Sequence, residues 1–193
     1  HDANLLRVLM SVITNSGALK ALCERLSKAE YVTVDTEFLR DKTYYSKLCL
    51  IQIADENEYH AIDTLADGID LAPFFDLMTN ENVMKVFHAA RQDIEIFVNM
   101  ANIVPKPLFD SQVAAMVCGY GDSIGYEKLV MSICSQPLDK STRFTDWSRR
   151  PLTERQIDYA LGDVTHLRAI YKKLNEQLIK SGRENWLAEE IEE

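Results

Sequence analysis

Tyr31-Val32-Thr33-Val34-Asp35-Thr36-Glu37 reads as a β-strand in which two carboxylates stand where apolar residues would otherwise continue. Tyr, Val and Thr favour a pleated, half-buried backbone, and residues two apart in a strand point to the same face. Asp35 and Glu37 therefore aim oxygen donors into one space from a rigid support. Paired carboxylates suit a hard cation such as Mg²⁺ or Mn²⁺, which keeps waters and leaves room for a phosphate oxygen.

Working outward from this strand, Leu19, Leu22 and Leu26 recur at helical spacing behind Asn15 or Ser16, either of which can cap a helix. Downstream, Leu48-Cys49-Leu50-Ile51-Gln52-Ile53 is a nearly unbroken apolar run, as expected of a central strand buried on both faces. Tyr59 to Asp63 reads as a further strand after the polar turn Asp55-Glu56-Asn57-Glu58. Connections this short predict an antiparallel meander. Helical patterns at Leu71 to Met78, Gln92 to Met100 and Ser111 to Val117 then alternate with strands at Val83 to Phe87 and Leu108 to Asp110. Such alternation implies crossovers and a parallel continuation of the sheet. Beyond Gly125 the pattern is helical, at Tyr126 to Ile133 and Thr153 to Ile179, around an irregular segment from Ser135 to Pro151. The predicted fold is α/β: a mixed sheet, antiparallel in its first three strands and then parallel, flanked by helices, with a helical C-terminal region. Residues 1–14 lack capping signals and read as a cloning remnant or N-terminal extension, leaving one domain over 15–193.

At 193 residues, 47% hydrophobic and 26% charged, the composition fits one domain with a sizeable core. No apolar run reaches the ~20 residues that span a bilayer, and a cytoplasmic protein is expected. Cys23, Cys49, Cys118 and Cys134 are far apart, which argues against a zinc site and a disulfide scaffold; reduced, mostly buried thiols are expected. A net charge of −9 argues against a general nucleic-acid binder, yet an acidic enzyme can act on nucleic acid if cations neutralise its site.

Two further places carry carboxylates. The strand ending at Phe87 runs through His88 to Asp93 in the first turn of a helix. In the last helix, Tyr159 and Asp163 are four apart and share a face, while Ile157, Leu161 and Val164 point elsewhere into the core. Taken singly, Asp93 complements a helix dipole and His88 is a satisfied structural histidine.

Taken together, Asp35-Thr36-Glu37, then Phe87-His88-Ala89 with Asp93, then Tyr159 and Asp163 resemble the three motifs of the DEDD superfamily of 3′-to-5′ exonucleases, tyrosine subclass. Asp35-Thr36-Glu37-Phe38 leading to Thr43-Tyr44-Tyr45, together with Leu138-Asp139-Lys140-Ser141 and the run from Asp146 to Gln156, is similar to bacterial ribonuclease D. The resemblance runs from Asn15 to the end of the chain and implies a ribonuclease-H-like fold. Ribonuclease D usually carries helical nucleic-acid-binding domains of the HRDC type after its catalytic domain. The resemblance here stops before them, so a truncated chain or a short family member is expected.

Four carboxylates converging from three elements could hold two divalent ions, one activating water and the other stabilising the leaving oxygen of an in-line displacement at phosphorus. By resemblance, Asp35 would bridge the ions, Glu37 and Asp163 would complete the first, Asp93 would hold the second, and Tyr159 would orient the attacking water. The resemblance implies removal of 5′-mononucleotides from single-stranded RNA 3′ ends, tRNA precursors among them. Candidate substrate contacts are Phe38, by stacking on the terminal base, His88, Lys140 and Arg150. Further basic residues flanking the motifs are Arg40, Lys42, Lys47, Arg143 and Arg149, and Asp110 is sufficiently explained as a helix cap. A proofreading-type DNA exonuclease shares the same carboxylates, and a non-catalytic nucleic-acid-binding module on this scaffold is the reading from another class. Oligomeric state is not legible.

Overall fold

The structure is a computed structural model that describes residues 2–40 and 45–183. Six strands form one mixed sheet: β1 (Val12–Ile13), β2 (Tyr31–Arg40), β3 (Ser46–Ala54), β4 (Tyr59–Asp63), β5 (Met84–Phe87) and β6 (Leu108–Asp110). Their spatial order is β1-β4-β3-β2-β5-β6. The β2-β3-β4 meander is antiparallel, and β5 and β6 add in parallel on the far side of β2, as the pattern of short turns and helical crossovers requires.

Helices cover both faces. On one side α2 (Ser16–Leu26), α3 (Ala72–Met78) and α4 (Arg91–Ala101) bury Leu19, Leu22, Phe74 and Phe97 against Val32, Val34, Ile51 and Ile53. The other side carries α5 (Ser111–Val117), α6 (Tyr126–Cys134) and the long α7 (Glu154–Ser181), which bury Leu129, Leu167 and Ile170 against Val86 and Phe109. Asn15 caps α2 by accepting from the Ala18 amide, and Thr153 and Gln156 form a capping box at the start of α7.

Residues before 15 pack against the same sheet. Helix α1 (Asp2–Met10) buries Val8 beside Cys49, Leu50, Trp147 and Ile157, and β1 pairs in parallel with β4. The sequence hides this because α1 shows four large apolar side chains to solvent, Leu5, Leu6, Leu9 and Met10, and a two-residue strand carries no periodicity. Asn4 is also tied to Glu154, and Arg7 to Asp158.

The continuous strand is not regular. Glu37 pairs with Leu50 but Phe38 pairs with Leu48, so Cys49 is the extra residue of a β-bulge. Cys49 and Leu50 consequently both face α7. All four cysteines are free; Cys23 and Cys49 are buried, Cys118 and Cys134 half-buried. Among the described residues no helix is long and apolar enough to cross a membrane.

Candidate active site

Strand β2 alternates across the sheet, and this sorts the site residues. Val32 and Val34 enter the core under α2 and α4. Thr33, two residues before Asp35, faces α7 and donates its hydroxyl to the Val164 carbonyl at 2.8 Å. That bond fixes the turn of α7 containing Asp163 opposite the strand positions of Asp35 and Glu37. One carboxylate oxygen each from Asp35, Glu37 and Asp163 lies within 4.8 Å of the others. Tyr159, one turn before Asp163, lines the same cavity of about 860 Å³.

Asp93 stands apart from this trio. It sits in the first turn of α4, on the opposite side of the sheet, and its carboxylate accepts a hydrogen bond from Thr36, the one residue of Asp35-Thr36-Glu37 that faces that side. Its wall position still opens on the cavity, and its charge is felt at Asp35. The turn that delivers it is held by Asp110. One carboxylate oxygen of Asp110 accepts from the Ala89 amide at 2.9 Å and the other from Ala90 at 2.9 Å, which pins Ala89 at a left-handed φ of 56°. Asp110 also caps α5 through the Gln112 amide, so it acts as a cap and more.

Crowding four acids in a buried site makes their ionisation costly. Burial raises Asp35 well above the usual carboxylate range, reinforced by Asp163 and Asp93. Burial, then the Asp35 charge, pushes Glu37 from 4.5 to about 9. Asp163 is raised by burial and by Glu37, and Asp93 by burial to about 7. Burial and mutual repulsion thus favour the protonated carboxyls in this cluster. All-oxygen donors whose protons stand in for missing positive charge are the set that a hard divalent ion fits. Tyr159 is raised by burial and the charges of Asp163 and Glu37, so its phenol stays protonated at neutral pH.

Gln52 was missed. It is the polar interruption of the apolar β3 run, directly opposite Asp35, and its Nε2 donates to Glu37 at 3.2 Å. Its Oε1 is buried with no partner among the described residues. A fully buried amide in the middle of a central strand is the signal that marks it.

The expected substrate contacts divide. Phe38 is half-buried, packs against the α2 side of the core and lines the cavity; Lys140 lines it too, paired with Glu127. His88 lines the cavity, but both ring nitrogens are engaged. Ile124 offers a carbonyl at 2.9 Å, which only accepts, so Nε2 carries the proton and Nδ1 accepts from Ser111 at 2.7 Å. Burial lowers the imidazole pKa as well, leaving a neutral ring with no donor for a phosphate. Arg150 is not part of the cavity wall. Its guanidinium pairs with Asp63 at 2.9 Å, donates to Cys49 O at 2.8 Å and reaches Trp147 O at 2.5 Å. These contacts consume the fork of donors that a phosphate would need. Of the other cations, Arg40, Lys128 and Arg143 line the cavity; Lys47 and Arg149 do not, and Lys42, with Thr43 and Tyr44, lies outside the described residues.

A mixed sheet thus presents carboxylates from β2, α4 and α7 to one cavity, with a phenol beside them, a donor set suited to hard divalent cations. The family model described as 3′-5′ exonuclease matches residues 10–179, and the chain belongs to that family. Curated relatives include a ribonuclease D of Nitrobacter hamburgensis, 57% identical over 183 residues, and one of Jannaschia sp., 55% identical over 183 residues. These alignments cover 95% and 93% of this chain but only 48% and 47% of the relatives, so the chain spans about half their length. Among solved structures, Escherichia coli RNase D, described as an exoribonuclease involved in structured RNA processing, superposes with a TM-score of 0.90 at 38% identity. That match covers 94% of this chain and 48% of the other. The catalytic core of RRP6 from Trypanosoma brucei shares the fold, with a TM-score of 0.83 at 24% identity.

Proposed function

We propose that this chain is the catalytic domain of a two-metal-dependent 3′-to-5′ exoribonuclease that releases 5′-mononucleotides from single-stranded RNA ends, in tRNA 3′-end processing or RNA turnover. The observation that carries this reading is the trio Asp35, Glu37 and Asp163, with ligand oxygens within 4.8 Å of one another at a cavity that Asp93 and Tyr159 also line. The names of the relatives support RNA as substrate.

Asp35, Glu37 and Asp163 would hold a divalent ion, and Asp93 on the cavity wall would add a fourth carboxylate for a second. Mg²⁺ or Mn²⁺, when bound, supplies an acidified water and charge stabilisation at the leaving oxygen. The protonated Tyr159 hydroxyl is suited to orient that water rather than to take its proton. Gln52 holds Glu37 in place. His88 acts through its bonds to Ser111 and Ile124, which fix the cavity wall, while Phe38 supplies a surface for the terminal base and Lys140 a cation near the backbone.

The test uses RNA and DNA oligonucleotides labelled at the 5′ end, incubated with Mg²⁺, Mn²⁺ or chelator. Stepwise shortening of RNA that needs a divalent ion and disappears in Asp163→Asn is expected. Equal or faster shortening of DNA would reassign the substrate, and intact RNA in every condition would refute the catalytic reading.

A further inference from the structure

The segment between α6 and α7 has no regular structure, yet it is well anchored. Thr142 is buried and its carbonyl accepts from the Thr145 hydroxyl at 2.6 Å; Trp147 is buried and donates its indole N–H to Arg143 O at 3.2 Å. Between these anchors Phe144 is 90% exposed, the most exposed large apolar side chain among the described residues, and it lines the mouth of the cavity. A fixed backbone thus displays a phenyl ring to solvent at the entrance to the carboxylates.

Arg143 sits beside it. Its guanidinium carbon lies 5.0 Å from the Phe144 ring centroid, and it forms no ion pair among the described residues. It lines the same cavity as Asp163 and Tyr159. An unpaired cation between an open aromatic face and an acidic centre matches the alternation of phosphate and base along a single strand. Phe38 occupies the deeper, half-buried position next to Glu37, where a terminal base would lie. The ring at the mouth is left for the strand that follows.

We propose that Phe144 is a stacking platform for a base upstream of the 3′-terminal nucleotide, with Arg143 holding the adjoining phosphate. This rests on the nucleic-acid reading above and adds a subsite to it. Stacking of this kind tolerates any base, so the platform would grip the strand without selecting its sequence.

The experiment compares wild type with Phe144→Ala, Phe144→Leu and Phe144→Trp, using a single-stranded RNA octamer as substrate and a 5′-mononucleotide as competitive inhibitor. Loss of one stacked base should raise KM for the octamer roughly 5- to 150-fold in Phe144→Ala, with kcat and the inhibition constant of the mononucleotide unchanged. Phe144→Leu should remain impaired and Phe144→Trp should recover. The emission of the introduced tryptophan, after subtraction of the wild-type signal, should be quenched by the octamer and not by the mononucleotide. Melting temperatures of all four proteins should agree, because the exposed ring packs against no core.

An unchanged octamer KM in Phe144→Ala would overturn the proposal while leaving the exonuclease reading intact. Equal weakening of mononucleotide binding would place the ring at the terminal base instead and overturn it too. Full activity of Phe144→Leu would replace stacking by simple apolar contact. Wild-type protein that neither binds nor shortens the octamer would refute the underlying reading and this subsite with it.

Discussion

At the residue scale, the four acids are a store of unfavourable charge that protons relieve when no cation does. Glu37 at about 9 and Asp93 at about 7 both lie above their unfolded values of 4.5 and 3.8. A carboxyl raised on folding contributes stability that is complete below its unfolded pKa and is lost as pH rises through its folded pKa. The melting temperature of the protein in chelator should therefore fall between about pH 5 and pH 9, and saturating Mn²⁺ should reverse the slope, since binding displaces protons and favours the folded state. Asp35→Asn removes one charge of the cluster. A pair of unit charges 4 Å apart opposes folding by up to ~4 kcal/mol at an effective dielectric near 20. In chelator the substitution should raise the melting temperature at pH 9 by several degrees, at roughly 2 to 4 °C per kcal/mol, and hardly at pH 6, where protons already quench the repulsion. A clear fall at both pH values would mean that Asp35 is a structural hydrogen-bonding residue. Tyr159 tests the other half of the site. Tyr159→Phe keeps the ring beside Trp147, 6.1 Å between centroids, and removes only the hydroxyl. Turnover should drop about 10² to 10⁴-fold with metal affinity unchanged in calorimetric titration; a lost metal site would make the phenol a ligand.

Among the elements, the β-bulge in β3 lies beside the end of β2 that carries Glu37. An extra residue at Cys49 leaves its carbonyl outside the ladder, and Arg150 satisfies it from the loop before α7 while pairing with Asp63 on β4. The guanidinium thereby joins β3, β4 and the loop that leads into the last helix. Arg150→Gln would leave a half-buried carboxylate and a carbonyl without partners, a loss of about 2 kcal/mol or more. Melting should fall by roughly 4 to 8 °C, and Arg150→Lys should recover little, because one ammonium cannot replace a planar fork. Weakened RNA binding with an unchanged melting temperature would restore Arg150 as a substrate contact. The bulge also shows where element-level reading stops. Residues 48 to 53 spell a strand, but nothing local in Leu48-Cys49-Leu50 says that two successive residues face the same side.

For the whole molecule, a net charge of −9 surrounds a cavity whose wall carries Arg40, Lys128, Lys140 and Arg143. Binding to a single strand should therefore depend on local cations alone, with log affinity falling against log salt at a slope of about −2 to −3, near −0.7 per phosphate neutralised. Anisotropy titrations from 50 to 300 mM salt read this directly. A flat dependence would mean that the cavity cations do not meet the backbone. What the sequence by itself determined is the part governed by short-range periodicity: the β2-β3-β4 meander, the helical crossovers, the shared face of Tyr159 and Asp163, and the motifs that point to one cluster. Alternation and helical repeat are local, so they survive in one dimension. Only the tertiary structure decided that residues before 15 pack against the same sheet, that Thr36 draws Asp93 away from the other three acids, and that Gln52 faces Glu37. It likewise decided that His88 and Arg150 spend their donors inside the protein and that Phe144 does not spend its ring. A side chain's chemistry is written in the sequence, but whether that chemistry is already satisfied depends on partners distant in the chain, and those are set by packing.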